Sequence, residues 1–182
     1  MRAQVVYESM FGNTEAIAEA IAEGLGTHCT VELLKVAAAA EQPAPPVDLL
    51  VVGGPTHVFG LSRTRTRRDA ADRTQAPVAV DVGIREWLDH ASPVPPGTRA
   101  VAFGTKAATP TWLPGSAARG AAKRLRHLGY ELADSPVDFF VGGMLGPLVA
   151  GEVECARTWA DRLSRTELDR ITYHGSTPRE QP

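Results

Sequence analysis

The sequence contains few cysteines, few aromatic residues and no long apolar run. Cys29 and Cys155 stand far apart and form neither a CxxC pair nor a Cys/His cluster, so we expect neither a metal site nor a disulfide framework. A membrane-spanning helix needs about 20 consecutive apolar residues, and the apolar stretch at the N-terminus is short for a signal peptide. We therefore expect a cytoplasmic protein without a membrane partner.

An excess of positive charge is also missing. Nineteen Lys and Arg residues balance 21 Asp and Glu residues, which gives a formal net charge of −2. Proteins that bind nucleic acid neutralise many backbone phosphates and therefore carry a clear positive excess. This balance predicts no nucleic-acid partner.

Short apolar segments alternate with segments of helical periodicity. Nearly continuous apolar runs, typical of parallel strands buried on both faces, occupy residues 4–7, 49–52, 100–103 and 137–141. Residues 30–36 alternate between apolar and polar and indicate an edge strand. Apolar residues recur at helical spacing over residues 14–25, 84–91, 118–128 and 153–163.

This alternation predicts an α/β fold, a doubly wound parallel sheet with helices on both faces and right-handed crossovers. Residues 1–165 are expected to form one domain, and residues 166–182 a C-terminal tail. Residues 37–46 are rich in Ala and Pro and are expected to form a surface connection without a helix.

The turn after the first strand, SMFGNT at residues 9–14, carries the clearest sign of a ligand. In an open parallel sheet, ligands bind beyond the carboxyl ends of the strands, and the unpaired amides of a helix N-terminus favour an anion there. The turn lacks the lysine of a triphosphate loop and the three glycines of a dinucleotide fingerprint. Ser9, Gly12 and Thr14 therefore suit a single phosphate group, although such residues also cap helices.

Two further loops are expected at the same edge of the sheet. GGPTHVFG, residues 53–60, combines paired glycines with Thr56, His57 and Phe59, and GTKAATPTWLPG, residues 104–115, contains Trp112. We predict that Phe59 and Trp112 flank a planar ligand; the alternative is that both rings only pack beneath their loops. His57 is a candidate positive charge beside this ligand; the alternative is that its side chain points to solvent.

These segments resemble the flavodoxin family of FMN-binding proteins. SMFGNT is similar to the family pattern [ST]-x-[ST]-G-x-T, with Phe11 at the second hydroxyl position, and the resemblance extends in element order over about residues 2–165. It implies five parallel strands in the order 2-1-3-4-5. The FMN-binding residues that it implies are Ser9, Met10, Phe11, Gly12, Asn13, Thr14, Pro55, Thr56, His57, Val58, Phe59, Gly60, Gly104, Thr105, Lys106 and Trp112.

The resemblance implies an electron carrier that exchanges electrons with a redox partner protein or with NAD(P)H, and it implies no catalytic side chain. The alternatives are an NAD(P)H:quinone oxidoreductase that uses FMN and a flavin-free interaction domain of the same fold. Residues 62–73 hold five arginines and two aspartates. Arg65, Arg67 and Arg68 are therefore predicted to form either a docking or nicotinamide-phosphate patch or a solvated helix face.

Overall fold

The computed structural model describes residues 1–42, 46–75, 77–108, 115–143 and 145–175. Strands and helices alternate along most of this chain. In order, they are β1 (Arg2–Tyr7), α1 (Asn13–Gly26), β2 (Thr30–Lys35), α2 (Val36–Ala40), β3 (Leu49–His57), β4 (Gly60–Leu61), α3 (Thr64–Ala71), α4 (Ile84–His90), β5 (Arg99–Ala107), α5 (Ala117–His127), β6 (Glu131–Leu132), β7 (Val137–Val141) and α6 (Glu152–Gly175).

The strands form a parallel sheet in the order β2-β1-β3-β5, and both β6 and β7 pair with the free edge of β5. β6 pairs with the first residues of β5, and β7 pairs with its last five. Taken as one interrupted strand, β6 and β7 fill the fifth position of the predicted order. The predicted fold class is therefore confirmed, whereas the strand count differs because the fifth strand is split and β4 adds a short antiparallel hairpin to β3.

Apolar side chains fill both sides of the sheet. On one side, Ile17, Ile21 and Leu25 of α1 pack with Trp159 and other residues of α6 against the sheet. On the other side, α2, α4 and α5 cover a second cluster that contains Val6, Val52, Leu88 and Leu125. Each fully buried side chain of this kind contributes roughly 1.5–3 kcal/mol. The two cores hold the strand ends, and thus the loops that follow them, in fixed positions.

Two helices differ from the expectations. Residues 36–40 form the short helix α2, where we expected a connection without a helix, because Val36 and Ala39 bury their side chains beneath the sheet edge. Helix α6 continues to Gly175 and thus includes the first ten residues of the expected tail, and Glu167 on this extension is buried and paired with Arg99. None of the helices within the described ranges has the length and apolarity needed to cross a membrane.

Candidate functional site

The phosphate turn, residues 9–14, connects the end of β1 to the start of α1. Gly12 has φ +83°, a left-handed conformation that favours glycine, and it precedes the first helical residue. The Ser9 hydroxyl accepts a hydrogen bond from the Glu15 N–H at 3.2 Å, so Ser9 caps the helix as the alternative interpretation allowed. The N–H groups of residues 10–14 have no acceptor within the described part of the chain. The turn therefore offers unpaired donors at the positive end of a helix.

Side chains of this turn bind other parts of the protein. Asn13 donates from Nδ2 to the carbonyl oxygen of Leu145 at 3.1 Å, and the hydroxyls of Thr14 and Thr105 share a buried hydrogen bond of 2.7 Å. These bonds tie the turn to β5 and to the loop after β7. Backbone amides, rather than these side chains, are thus the donors left for an anion.

The hairpin between β3 and β4 forms a second wall of the site. Val58 and Phe59, at its tip, have φ values of 43° and 70° and leave 77% and 54% of their surface exposed. A β-branched residue rarely adopts a positive φ, and such strain clusters at ligand sites. The Thr56 hydroxyl accepts a hydrogen bond from the Ala117 N–H at 3.0 Å, which fixes the hairpin against α5.

The phosphate turn, the hairpin and the end of β5 surround a cavity of about 400 Å³. This volume falls within the usual range for small-molecule sites. Its lining residues are Met10, Phe11, Asn13, Thr14, Pro55, Thr56, His57, Val58, Thr105, Lys106, Ala107, Val141 and Gly143. A larger cavity, of about 710 Å³, lies toward the amino ends of β1 and β3, beside Trp87 and Tyr130, and does not include the phosphate turn.

Among the described residues, two basic side chains line the smaller cavity. Lys106 places its amine 3.7 Å from the Asp138 carboxylate and 5.7 Å from the centre of the Phe140 ring. His57 is half-buried, and burial together with the positive charge of Arg67 lowers the pKa of its imidazole. The imidazole is therefore mostly neutral at pH 7, so Lys106, rather than His57, carries positive charge beside the cavity.

A buried polar network lies directly before the phosphate turn. The Glu8 carboxylate accepts hydrogen bonds from the Ser62 hydroxyl at 2.5 Å and from the Ile84 N–H at 3.0 Å. The Arg67 guanidinium, completely buried, donates to the same hydroxyl at 2.8 Å and pairs with Glu86 at 3.0 Å. Burial raises the pKa of the Glu8 carboxyl despite these hydrogen bonds. The network joins β1, the hairpin, α3 and α4 beneath the site.

Ten of the predicted site residues line the cavity together, from Met10 to Lys106. The predicted residues that do not line it are Ser9, Gly12, Phe59, Gly60 and Gly104, and Trp112 lies outside the described residues. Phe59 is thus at the exposed tip of the hairpin, beside the cavity, while its neighbours His57 and Val58 contribute to the wall. Gly104 packs against Asp138 and the start of α5.

Sequence reasoning missed two groups of residues. Ala107, Val141 and Gly143 line the cavity, and the position of β7 beside β5 could have indicated the last two. The Glu8 network was also missed, although a lone glutamate after an apolar strand was a signal. The prediction for Arg67 was wrong: this arginine is buried and paired, and it belongs neither to a docking patch nor to a solvated face. Arg65 and Arg68 are exposed.

The comparisons with known proteins agree with this fold. The family model described as flavodoxin matches residues 5–78. Flavodoxin 2 from Bacillus cereus covers 93% of this chain and 99% of its own, at 19% identity and a TM-score of 0.62. A flavodoxin from Archaea covers 92% of this chain and 99% of its own, at 18% identity and a TM-score of 0.58. The flavodoxin of Streptococcus pneumonia TIGR4 covers 91% of this chain and 99% of its own, at 15% identity and a TM-score of 0.60. No curated protein matches the sequence.

Proposed function

We propose that this chain, whose residues 5–78 match the flavodoxin family model and whose fold is similar to that of flavodoxins over most of its length, binds FMN and carries electrons between redox partners. The observation that carries this proposal is the set of unpaired amides of residues 10–14, which lie at the N-terminus of α1 beside a cavity of about 400 Å³. A phosphate joined to a planar ring system fits both features.

The residues present fit this cofactor by the chemistry of their donors. The oxygens of a phosphate monoester accept hydrogen bonds from several N–H groups at once. The turn supplies such groups from its backbone and needs no lysine or metal to bind the phosphate. The apolar side chains of Met10, Phe11, Pro55 and Val58 line the cavity and would suit the ring. FMN, when bound, supplies the redox chemistry.

The chain's own side chains set the environment of the ring. Lys106 brings a positive charge that favours added electrons, while its pairing with Asp138 moderates that charge. His57 contributes a mostly neutral imidazole. Both residues are therefore expected to tune the reduction potential rather than to transfer protons as obligatory catalytic groups.

A titration followed by visible absorbance tests the proposal. We expect FMN to bind more tightly than riboflavin, which has the same ring but no phosphate, because the amides of residues 10–14 would hold the phosphate that riboflavin lacks. Equal affinity for the two flavins would contradict the assignment of the phosphate turn, and no binding of either would contradict the proposed function.

Gly12 provides a sharper test with a matched control. Gly12 and Gly97 both have φ +83°, and a Cβ at either position meets no atom within 4 Å. Gly12→Ala and Gly97→Ala should therefore each reduce the free energy of unfolding by about 1–2 kcal/mol. Only Gly12→Ala should also weaken FMN binding, by roughly tenfold or more. Alanine disfavours the positive φ at residue 12, so the backbone should shift and turn the N–H groups of residues 10–14 away from the phosphate. An equal loss of FMN affinity in both variants would show that Gly12 acts through stability alone.

The oxidoreductase alternative has its own test. Steady-state oxidation of NADPH by the purified protein with a quinone, and without an added reductase, would favour it over the electron carrier. Arg65→Gln and Arg68→Gln would then raise the KM for NADPH, because guanidinium groups bind phosphates bidentately. We expect no such oxidation.

A further inference from the structure

Positive charge is concentrated in two helical segments of this nearly neutral chain, residues 63–73 and 117–127, whereas residues 84–90 between them hold one Arg and two acidic residues. Residues 63–73, 84–90 and 117–127, which contain α3, α4 and α5, hold ten Arg and Lys residues and only four Asp and Glu residues. Their net charge is +6, so the rest of the chain must carry −8 to give the total of −2. The overall balance thus conceals a strong asymmetry between regions.

Arg85 places part of this charge against the hairpin. Its guanidinium donates to the carbonyl oxygens of Leu61 at 2.7 Å and Ser62 at 3.0 Å, so β4 and the residue after it fix its position. Burial lowers the pKa of Arg85, and the nearby charges of Arg124 and Arg63 lower it further, while the carboxylates of Asp89 and Glu86 act in the opposite direction. These guanidinium groups therefore lie close enough to repel one another.

Helix α5 extends this charge along the same side of the hairpin. A Cβ added at Gly120 would lie 3.4 Å from the Leu61 side chain, so the first turn of α5 packs against β4. Arg119 and Lys123 are exposed and stand one helical turn apart. Arg124 pairs with Asp89 at 2.7 Å. Within the described residues, no carboxylate pairs with Arg63, Arg85, Arg119 or Lys123.

The exposed tip of the hairpin lies beside these charges. Val58 and Phe59 expose apolar surface next to the cavity, and Arg85 lies about 4 Å from the Cβ position of Gly60, the residue that follows them. An apolar centre with a charged rim is the usual composition of a protein interface, and arginine is enriched there.

We propose that Arg63, Arg85, Arg119, Lys123 and Arg124, together with Val58 and Phe59, form a basic docking surface that binds an acidic protein redox partner. This inference rests on the proposed electron transfer and specifies the partner's charge. The surface extends from the hairpin along α5, a helix of 11 residues and thus about 16 Å in length. That extent exceeds the reach of a single nucleotide phosphate, and the apolar tip favours a protein over nucleic acid.

The test compares one electron acceptor in two charge forms. Cytochrome c in its native basic form and after succinylation of its lysines is mixed with the dithionite-reduced, FMN-loaded protein, and the rate of electron transfer is followed by stopped-flow absorbance. At an ionic strength of about 20 mM, where screening is weak, the succinylated form should react faster. Its rate should fall as salt is added.

Two triple variants locate the effect. Substitution of Arg63, Arg119 and Lys123 by Gln removes three exposed charges from the basic docking surface and leaves Arg85 in place. Substitution of Arg2, Arg162 and Arg165 by Gln removes three exposed charges elsewhere. The first variant should slow reduction of succinylated cytochrome c by about tenfold at low salt, and the control should change it less than twofold.

The outcomes separate this inference from the proposed function. Absence of flavin binding, or of transfer to either acceptor, would overturn the electron carrier itself. Transfer that favours native cytochrome c, or that slows equally in both triple variants, would overturn only the docking surface. Binding of a DNA duplex of about 20 base pairs that is lost in the first variant would likewise overturn it in favour of a nucleic-acid partner.

Discussion

Each end of the parallel sheet buries one glutamate, and the two are held in different ways. Glu8 lies at the carboxyl end, directly before the phosphate turn, and is 5% exposed. Glu167 lies at the amino end, against the first residue of β5, and is 1% exposed. Burial of either charge has a desolvation cost, which neighbouring groups must offset.

The two glutamates differ in the groups that donate hydrogen bonds to their carboxylates. Arg99 donates to Glu167 through Nε at 3.1 Å and Nη2 at 2.8 Å, and Arg170 adds a further bond at 2.9 Å. Burial alone would raise the pKa of Glu167, but these arginines hold it below its usual range. Glu8 receives only a hydroxyl and an amide, since Arg67 reaches it through Ser62, and burial raises its pKa. Charge is thus fully compensated at the structural end and only partly compensated at the end that carries the candidate site.

The largest expected effect comes from breaking the network at Glu8. Arg67→Ala should reduce the free energy of unfolding by about 3–5 kcal/mol, because it leaves Glu86 and the Ser62–Glu8 pair without a buried cation. Arg68→Ala, an exposed neighbour on the same helix, should change it by less than about 0.5 kcal/mol. Denaturant unfolding measures the loss of unfolding free energy in both variants. Similar losses would contradict the inference that Arg67 stabilises the buried network.

The pH dependence of stability should have opposite signs at the two ends. Glu8 has a raised pKa in the folded state, so its contribution relative to Glu8→Gln should be largest at low pH. That contribution should fall as the pH rises above the ordinary value of 4.5. Glu167 has a lowered pKa, so its contribution relative to Glu167→Gln should be full above 4.5 and fall as the pH drops below it.

Denaturant unfolding of the wild type and the two variants between about pH 3 and pH 8, spanning the ordinary glutamate pKa, measures this difference. The two Gln variants preserve the size of the side chain and remove the titratable group together with its negative charge. Differences from wild type that change with pH in the same direction for both variants would show that the two carboxylates are compensated alike.

The smallest expected effect concerns the hydroxyl pair that joins the phosphate turn to β5. Thr14→Val and Thr105→Val keep the side-chain shape and should each reduce the free energy of unfolding by about 1–3 kcal/mol, since each leaves one buried hydroxyl unpaired. The double variant should cost less than the sum of the two, because both partners are then apolar. Strict additivity would indicate that the hydroxyls do not interact.

Most of the fold could be predicted from the sequence, because buried parallel strands and amphipathic helices have distinct periods. The five main strand positions and helices α1, α4, α5 and α6 were found this way. The short helix α2, the extension of α6 and the split of the fifth strand were not. These features depend on contacts far along the chain, such as Arg99 with Glu167.

Some parts of the candidate site could be predicted from the sequence and others could not. The phosphate turn is local: Gly12 and the start of α1 fix its shape within six residues, so the sequence indicated it directly. The ring loops required knowledge of neighbours, and the cavity brings in Val141 and Gly143 from the adjacent strand while Phe59 remains outside its lining. The arginines of residues 62–73 looked alike in sequence, yet Arg67 is buried and Arg65 and Arg68 are exposed.

The sequence by itself determined the alternation of strands and helices, the turn at residues 9–14 that begins α1 and the near-neutral total charge, since each depends on local spacing or on composition. Only the tertiary structure decided which charges meet. It buries Glu8 with Arg67 through Ser62, compensates Glu167 with two arginines, and brings arginines from two helices and the segment after β4 to one side of the hairpin. Desolvation and charge pairing depend on distances in space, and spacing along the chain does not fix those distances.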